Sequence, residues 1–441
     1  MGVSKGVRWL LMLCLLLSVA SSHARVTHIM FDHKKEGGDK GTDDALAIRL
    51  NFNDPLKHEC NGKGEGEFVR ELFETNLLGA GFIRFVGQPP ARVNRDEPAL
   101  YSIKRTNATT PITIKIRIVL LSDPGVNGRW FSAKQSTNST LPEIEEKLVQ
   151  FKKVEGNQVW ISYDSSKPAG KEQEYVEFKL KAFFQPGQEK IAKLTGSWEW
   201  SYSTVSGGGG SRSNLVASAH ILYVVLDVPK EPWCKSETTR PWVSALDFAF
   251  DKIAGVKGST DVKMAGEKIV PFIHKSFGLR YGTKGEPAAN FLKGEFNLTG
   301  FIKGTSGKVV TCVDTAASVQ IFMSLLGGSA EIRHVKPGGA INRTDLIGVG
   351  VTNNPSYEKP GSNNQQLLDD NSRERSTFDF HTYVLYDLRI YDACVGPYIG
   401  ADNEEEYRKK VFDRSEAFER NITISLPPDS RSNTLLVKNL K

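Results

Sequence analysis

Residues 307 to 328 read GKVVTCVDTAASVQIFMSLLGG, and this stretch decides the fold of the second half of the chain. A glycine-bearing loop precedes Thr311. Thr311 and Asp314 have the T-x-x-D spacing of a capping box, in which each residue satisfies the other's unbonded backbone N–H. Ala316, Ala317, Gln320, Ile321, Ser324 and Leu325 continue the helix, and Gly327 ends it. Cys312 therefore falls in the first turn. There the free N–H groups and the positive end of the helix dipole favour a thiolate. Asp314, itself an anion, opposes this, so a cationic partner decides the balance.

The candidate partner lies downstream, in FDFHTYVLYDLRIYDAC at 378 to 394. The alternating aromatic and β-branched residues around His381 predict a strand, and Leu388 to Asp392 predicts a second. A hairpin centred on Tyr386-Asp387 sets His381 directly opposite Asp392, with Cβ atoms about 5 Å apart. That is the reach a carboxylate needs to hold an imidazole in one tautomer and stabilise its cation. Taken singly, a cysteine on a helix, a histidine on a strand or an aspartate after a strand is most often structural. Their order and setting argue otherwise.

From about 240 to 400 the sequence resembles the transglutaminase-like superfamily of papain-type Cys-His-Asp enzymes. The resemblance rests on the helices before Cys312, the Cys-x-Asp-x-Ala-Ala start of the nucleophile helix, the Phe-His-x-Tyr-Val strand and the Tyr-Asp-Ala-Cys segment. It implies Cys312 as nucleophile, His381 as general acid and base, and Asp392 as the orienting group. It also implies attack on an amide carbonyl through a thioester, with water or an amine as acceptor. The aromatic residue that usually flanks the histidine is here Tyr383, offset by Thr382. No side-chain oxyanion donor is legible.

The N-terminal half has a different character. Lys5 and Arg8 precede the apolar run Trp9 to Ala20, which is too short to span a bilayer, and Ser22-His23-Ala24 offers a cleavage site. Residues 1–24 read as a signal peptide and the chain as secreted and extracellular. The sequons at Asn107, Asn138, Asn297, Asn342 and Asn421 agree with a glycoprotein. Residues 25–95 are mixed, with strands expected at 45–52 and 81–86. From 97 to 228 the signal is β: Ile112 to Leu121, Tyr175 to Phe184, Leu194 to Thr204 and Asn214 to Val228 all read as strands. Trp198 and Trp200 share a strand face, where packing outweighs a sugar- or peptide-binding patch. Pro229 to Cys234 reads as a connector. The expected fold class is α+β: an antiparallel β-sandwich-like domain over 25–232, then a papain-like domain over 236–441. In the second domain Pro241 starts a helix, Asp261 caps another that Pro271 kinks, and Glu404 to Phe418 forms a charged terminal helix.

Composition narrows the function. With 57 Lys plus Arg against 51 Asp plus Glu over 441 residues, the basic excess is mild and spread out, unlike a nucleic-acid binder. No calcium loop of the D-x-D-x-D-G type occurs, so no metal or cofactor is assigned. Of the 5 cysteines, Cys14 leaves with the signal. Cys60, Cys234, Cys312 and Cys394 allow two disulfides in any of three pairings. A Cys60–Cys234 link is preferred, and a Cys312–Cys394 bridge would switch the site off. The expected function is thus a secreted thiol enzyme acting on protein or peptide amides, by acyl transfer or hydrolysis. The alternatives are a secreted glycoprotein binding module with an inactive triad, its β-domain facing glycan or protein, and a two-disulfide structural glycoprotein.

Overall fold

A computed structural model describes residues 97–106, 109, 112–120, 130–144, 176–203, 212–233, 241–282, 288–290, 295–304, 308–335, 341–353 and 380–413. It also describes Ala24–Phe31 and the short strands at 33–34, 65–66, 149–150, 357–358 and 365–366. The expected strands at 45–52 and 81–86 lie outside these residues, as do Cys60, Cys234, Asn107 and Asn421.

The chain mixes strands and helices, an α+β fold. Ile112–Leu120 pairs antiparallel on one side with Ala24–Phe31 and on the other with Val176–Leu180. A five-stranded sheet contains β1 (Glu97–Ser102), β2 (Trp130–Gln135), β3 (Val149–Gln150), β4 (Ala192–Ser203) and β5 (Arg212–Val225), in the order β1-β5-β4-β2-β3. The sheet is antiparallel except at its edge. There β1 runs parallel to β5, which corrects the all-antiparallel expectation. A parallel edge needs a long crossover, and the chain between Ser102 and Arg212 supplies it. Trp198 and Trp200 are fully buried. Trp198 Nε1 donates to the Pro142 carbonyl at 3.0 Å, and Trp200 meets Phe178 edge-on at 5.9 Å, so both rings serve packing.

After β5 the connector turns onto the helical half. The Lys230 N–H donates to the Ser324 carbonyl, and Trp233 Nε1 donates to that of Ile321. Trp242 precedes α1 (Val243–Asp247) in extended backbone, without a side-chain cap bond, and α1 widens into a π-type turn over Phe248–Lys252. Asp261 accepts from the Met264 N–H at 2.7 Å and caps α2 (Val262–Pro271). Pro271 does not break this helix; the chain continues as a π-type turn over Phe272–Ser276. A wider turn accommodates the ring and the missing N–H that a tight helix cannot. A Cβ on Gly266 would stand 2.8 Å from the Tyr391 ring and 3.0 Å from Met323 Cε, so glycine lets α2 approach both neighbours.

β6 (Arg280–Tyr281) pairs parallel with β7 (Val309–Val310), and α3 (Leu298–Lys303) lies between them in sequence. α4 (Cys312–Leu325) follows β7 at once. Every residue of α4 is buried, so it is the central helix and not an amphipathic surface one. It packs against a second antiparallel sheet of β8 (Glu331–Val335), β11 (His381–Tyr386), β12 (Arg389–Asp392) and β13 (Tyr398–Ile399), ordered β8-β11-β12-β13. A small hairpin, β9 (Thr344–Leu346) and β10 (Gly350–Thr352), braces the end of β12. There the Leu346–Val395 bridge is flanked by bonds from Ile347 N–H to the Cys394 carbonyl and from Gly396 N–H to that of Asp345. The chain then enters α5 (Glu404–Val411), capped by Asn403 and Glu406 in a reciprocal box.

Candidate active site

Thr311 and Asp314 start α4 as their spacing predicts. Asp314 Oδ2 accepts the Thr311 N–H at 2.8 Å and its hydroxyl at 2.9 Å; Oδ1 accepts the Ala289 N–H at 2.7 Å. Burial raises the Asp314 carboxyl above its usual range, and the bonds from Thr311 and Ala289 pull the other way. Its oxygens are thus spent on loops before the helix. Cys312 begins the helix, 2 % exposed and with a free thiol.

The hairpin that carries the other two residues differs from its expected register. Tyr386 pairs with Arg389 and Val384 with Tyr391, so the two-residue turn is Asp387-Leu388. Both turn residues have positive φ, at 49° and 59°, as a type I′ turn requires. The register has moved by two residues from the expected one. Because side chains alternate with period two, a shift of two preserves the face. His381 and Asp392 become diagonal neighbours, and their side chains close the gap: His381 Nε2 donates to Asp392 Oδ2 at 2.8 Å.

Asp392 is 1 % exposed. Its Oδ1 accepts from the Cys394 N–H at 2.7 Å and, more weakly, from that of Val395 at 3.4 Å. Its Oδ2 accepts from His381 and also from the Tyr407 hydroxyl at 2.6 Å. His381 is fully buried. Burial pulls its pKa down, but the Asp392 carboxylate and its hydrogen bond, joined by the Cys312 sulfur, overcome this and push it up to about 10. The balance of these interactions favours the imidazolium. Nε2 is committed to Asp392, and the Cys312 sulfur acts on the same ring. Of the three predicted residues, His381 and Asp392 are directly hydrogen-bonded, and Cys312 is close enough to act electrostatically on His381.

Three further side chains stand beside this group, and of these the sequence singled out only Cys394, as a possible disulfide partner of Cys312. Tyr281 sits beside Val310 in the β6–β7 pair, two residues before Cys312. Burial, then the Cys312 and Cys394 sulfurs, hold its phenol far above the usual range. Cys394 is a free, buried thiol. Burial, then Asp392 and Cys312, push it well above the usual thiol value, while the Thr315 hydroxyl pulls the other way. The Cys312–Cys394 bridge is thus not formed. Tyr407 is the third. Tyr407 and Val411 are the two buried residues of α5, spaced i, i+4, and that spacing was the available signal.

The described sequon asparagines lie elsewhere. Asn138 and Asn297 are exposed, and Asn297 Oδ1 caps α3 through the Gly300 N–H at 2.8 Å. Asn342 is half-buried, and its Nδ2 donates to the Lys410 and Phe412 carbonyls, each at 3.1 Å, at the end of α5. Among the described residues, no cluster of His, Cys, Asp and Glu could hold a metal ion, and no helix is long and apolar enough to cross a membrane.

No known protein family matches the sequence, and no curated protein is similar to it. Among solved structures, the chain is similar to the transglutaminase of red sea bream, at 13 % identity and a TM-score of 0.32. The match covers 66 % of this chain and 50 % of that one, so the chain spans about half the length of the structure it matches. A likeness at this level assigns neither family nor activity.

Proposed function

We propose that the chain is a secreted thiol enzyme acting on amide bonds of proteins or peptides, with a β-rich domain over 25–232 and a transglutaminase-like domain over 236–441. One observation carries this reading. A sulfur at a helix start and a buried carboxylate address the same imidazole, whose net shift favours the cation. An imidazolium beside sulfur stabilises the thiolate, which is the nucleophilic form. The Cys312 thiolate attacks the amide carbonyl, and the carbonyl π electrons move to oxygen. The Cys312 amide N–H and the Tyr281 hydroxyl are the donors proposed for that oxyanion. His381 gives its proton to the leaving nitrogen, the C–N bond breaks, and a thioester remains. His381, now neutral, takes a proton from the acceptor as the acceptor attacks the thioester carbonyl, and the C–S bond breaks to return the Cys312 thiolate beside the imidazolium. Water gives hydrolysis; a lysine amine gives a cross-link. Asp392 holds the ring and its charge throughout. The signal segment and sequons support the extracellular address.

Burial of Cys312 at 2 % exposure favours a second reading, a secreted binding module whose triad does not turn over. One experiment separates the two. The secreted protein is assayed for ammonia release and for incorporation of a fluorescent primary amine into casein, and Cys312 alkylation by iodoacetamide is timed by peptide mass mapping. Turnover is expected, lost in Cys312→Ala with the fold retained because the cap is Thr311. Cys312 is expected to react at least about tenfold faster than Cys394. No turnover, with Cys312 reacting like a model thiol, would leave the binding module.

A further inference from the structure

We infer that Tyr407 is a positioning residue that tempers the hold of Asp392 on His381, its hydroxyl sharing with the imidazole a single carboxylate oxygen. This rests on the reading of Cys312 and His381 as the reacting pair.

Oδ1 of Asp392 is already fixed by the Cys394 and Val395 N–H groups. The carboxylate's orientation therefore does not depend on Tyr407. What Tyr407 changes is the charge left on Oδ2, where it donates at 2.6 Å beside His381 at 2.8 Å. A donor aimed at that oxygen draws its negative charge and weakens its pull on a neighbouring cation. An acid that must release its proton within each turnover gains from a looser hold.

The tertiary structure keeps the hydroxyl there. α5 is tied down at both ends, to the sheet at its start and to Asn342 at its end. The Asp402 carbonyl accepts from Ile390 N–H at 3.0 Å, and Tyr383 donates to Glu404 Oε1 at 2.6 Å. At the far end the Asn342 N–H donates to the Val411 carbonyl at 2.7 Å, and its amide binds the Lys410 and Phe412 carbonyls. Tyr407 is fully buried, with Tyr383 and Tyr398 rings 4.7 and 5.0 Å away. Phe412 meets His381 edge-on at 6.0 Å. The charged or titratable groups acting on His381 are Asp392 from β12 and Cys312 from α4. Asp392 is faced in turn by Tyr407, Cys394 and Tyr398.

The test needs no substrate. Iodoacetate is an anion and iodoacetamide is neutral, so the ratio of their alkylation rates at Cys312 tracks the positive charge on His381. The ratio is followed from pH 6 to 11 in the full chain, in Tyr407→Phe, in Asp392→Asn and in the double variant. Tyr407→Phe should move the fall of the ratio up by about one pH unit. Asp392→Asn should move it down, and adding Tyr407→Phe to that background should do nothing further. Amide turnover of Tyr407→Phe should fall about tenfold while the imidazolium persists, a split that a loosened fold would not produce. If Tyr407→Phe fails to fold, 3-fluorotyrosine in place of Tyr407, a stronger donor, should move the fall down instead. An unmoved or opposite shift, or equal shifts in both backgrounds, overturns the role of Tyr407. A ratio already flat in the unaltered chain overturns the reacting pair itself, and the role of Tyr407 with it.

Discussion

Burying a carboxylate costs several kcal/mol unless donors replace its water, and Asp392 meets that cost with His381, Tyr407 and two backbone N–H groups. Burial pulls His381 down, but the Asp392 carboxylate, with the Cys312 sulfur, raises it from 6.5 to about 10. A group whose pKa is higher folded than unfolded stabilises the fold while it is protonated in both states' reference range. For His381 the stabilisation is complete below about pH 6.5 and is lost as pH rises towards 10. The urea midpoint of the native chain is therefore expected to fall between pH 7 and 10, and to fall less in His381→Gln. Equal slopes in the two proteins would remove the imidazolium from the account.

Elements were placed by local signals and joined by less local ones. The capping residues Thr311, Asp314 and Asp261 act within one turn, so their helices start where the sequence predicts. The β11–β12 turn does not obey its strongest local preference. Asp387-Leu388 occupies left-handed backbone that favours Asn-Gly, and Leu388 is 78 % exposed, gaining no burial in return. Leu388→Gly should therefore stabilise the protein by about 1 kcal/mol, read as a higher midpoint in urea at unchanged slope. A lower midpoint would show that the Leu388 side chain contributes packing.

At the scale of the molecule, the β-rich and helical halves share one core. Leu100, Ile191, Tyr223 and Val225 cluster with Trp242, Leu246 and Phe250. Lys193 of β4 reaches Asp247 at 2.7 Å at the end of α1 and also binds Asp251; the Lys193 side chain is 14 % exposed, those of the aspartates 43 % and 41 %. Burial depresses the Lys193 pKa, but both aspartates outweigh it and raise it overall. Because the carboxylates face water, screening limits the worth of this network. Lys193→Met should cost about 1 to 2 kcal/mol in a single urea transition. No loss would assign the joint to apolar packing alone.

The sequence by itself determined the α+β class, the start and end of the central helix, the existence of the strands expected at 112–121, 194–204 and around His381, and the shared face of His381 and Asp392. Each depends on interactions within a few residues or on the period of two along a strand. It did not determine the parallel edge strand, the turn residues, or the free state of Cys312 and Cys394. Nor did it reveal that Tyr281 and Tyr407 stand beside the candidate triad. Those follow from which surfaces meet when long loops close, and loop closure leaves no periodic trace. Tyr407 shows the difference best: its helix is local chemistry, its oxygen partner is tertiary.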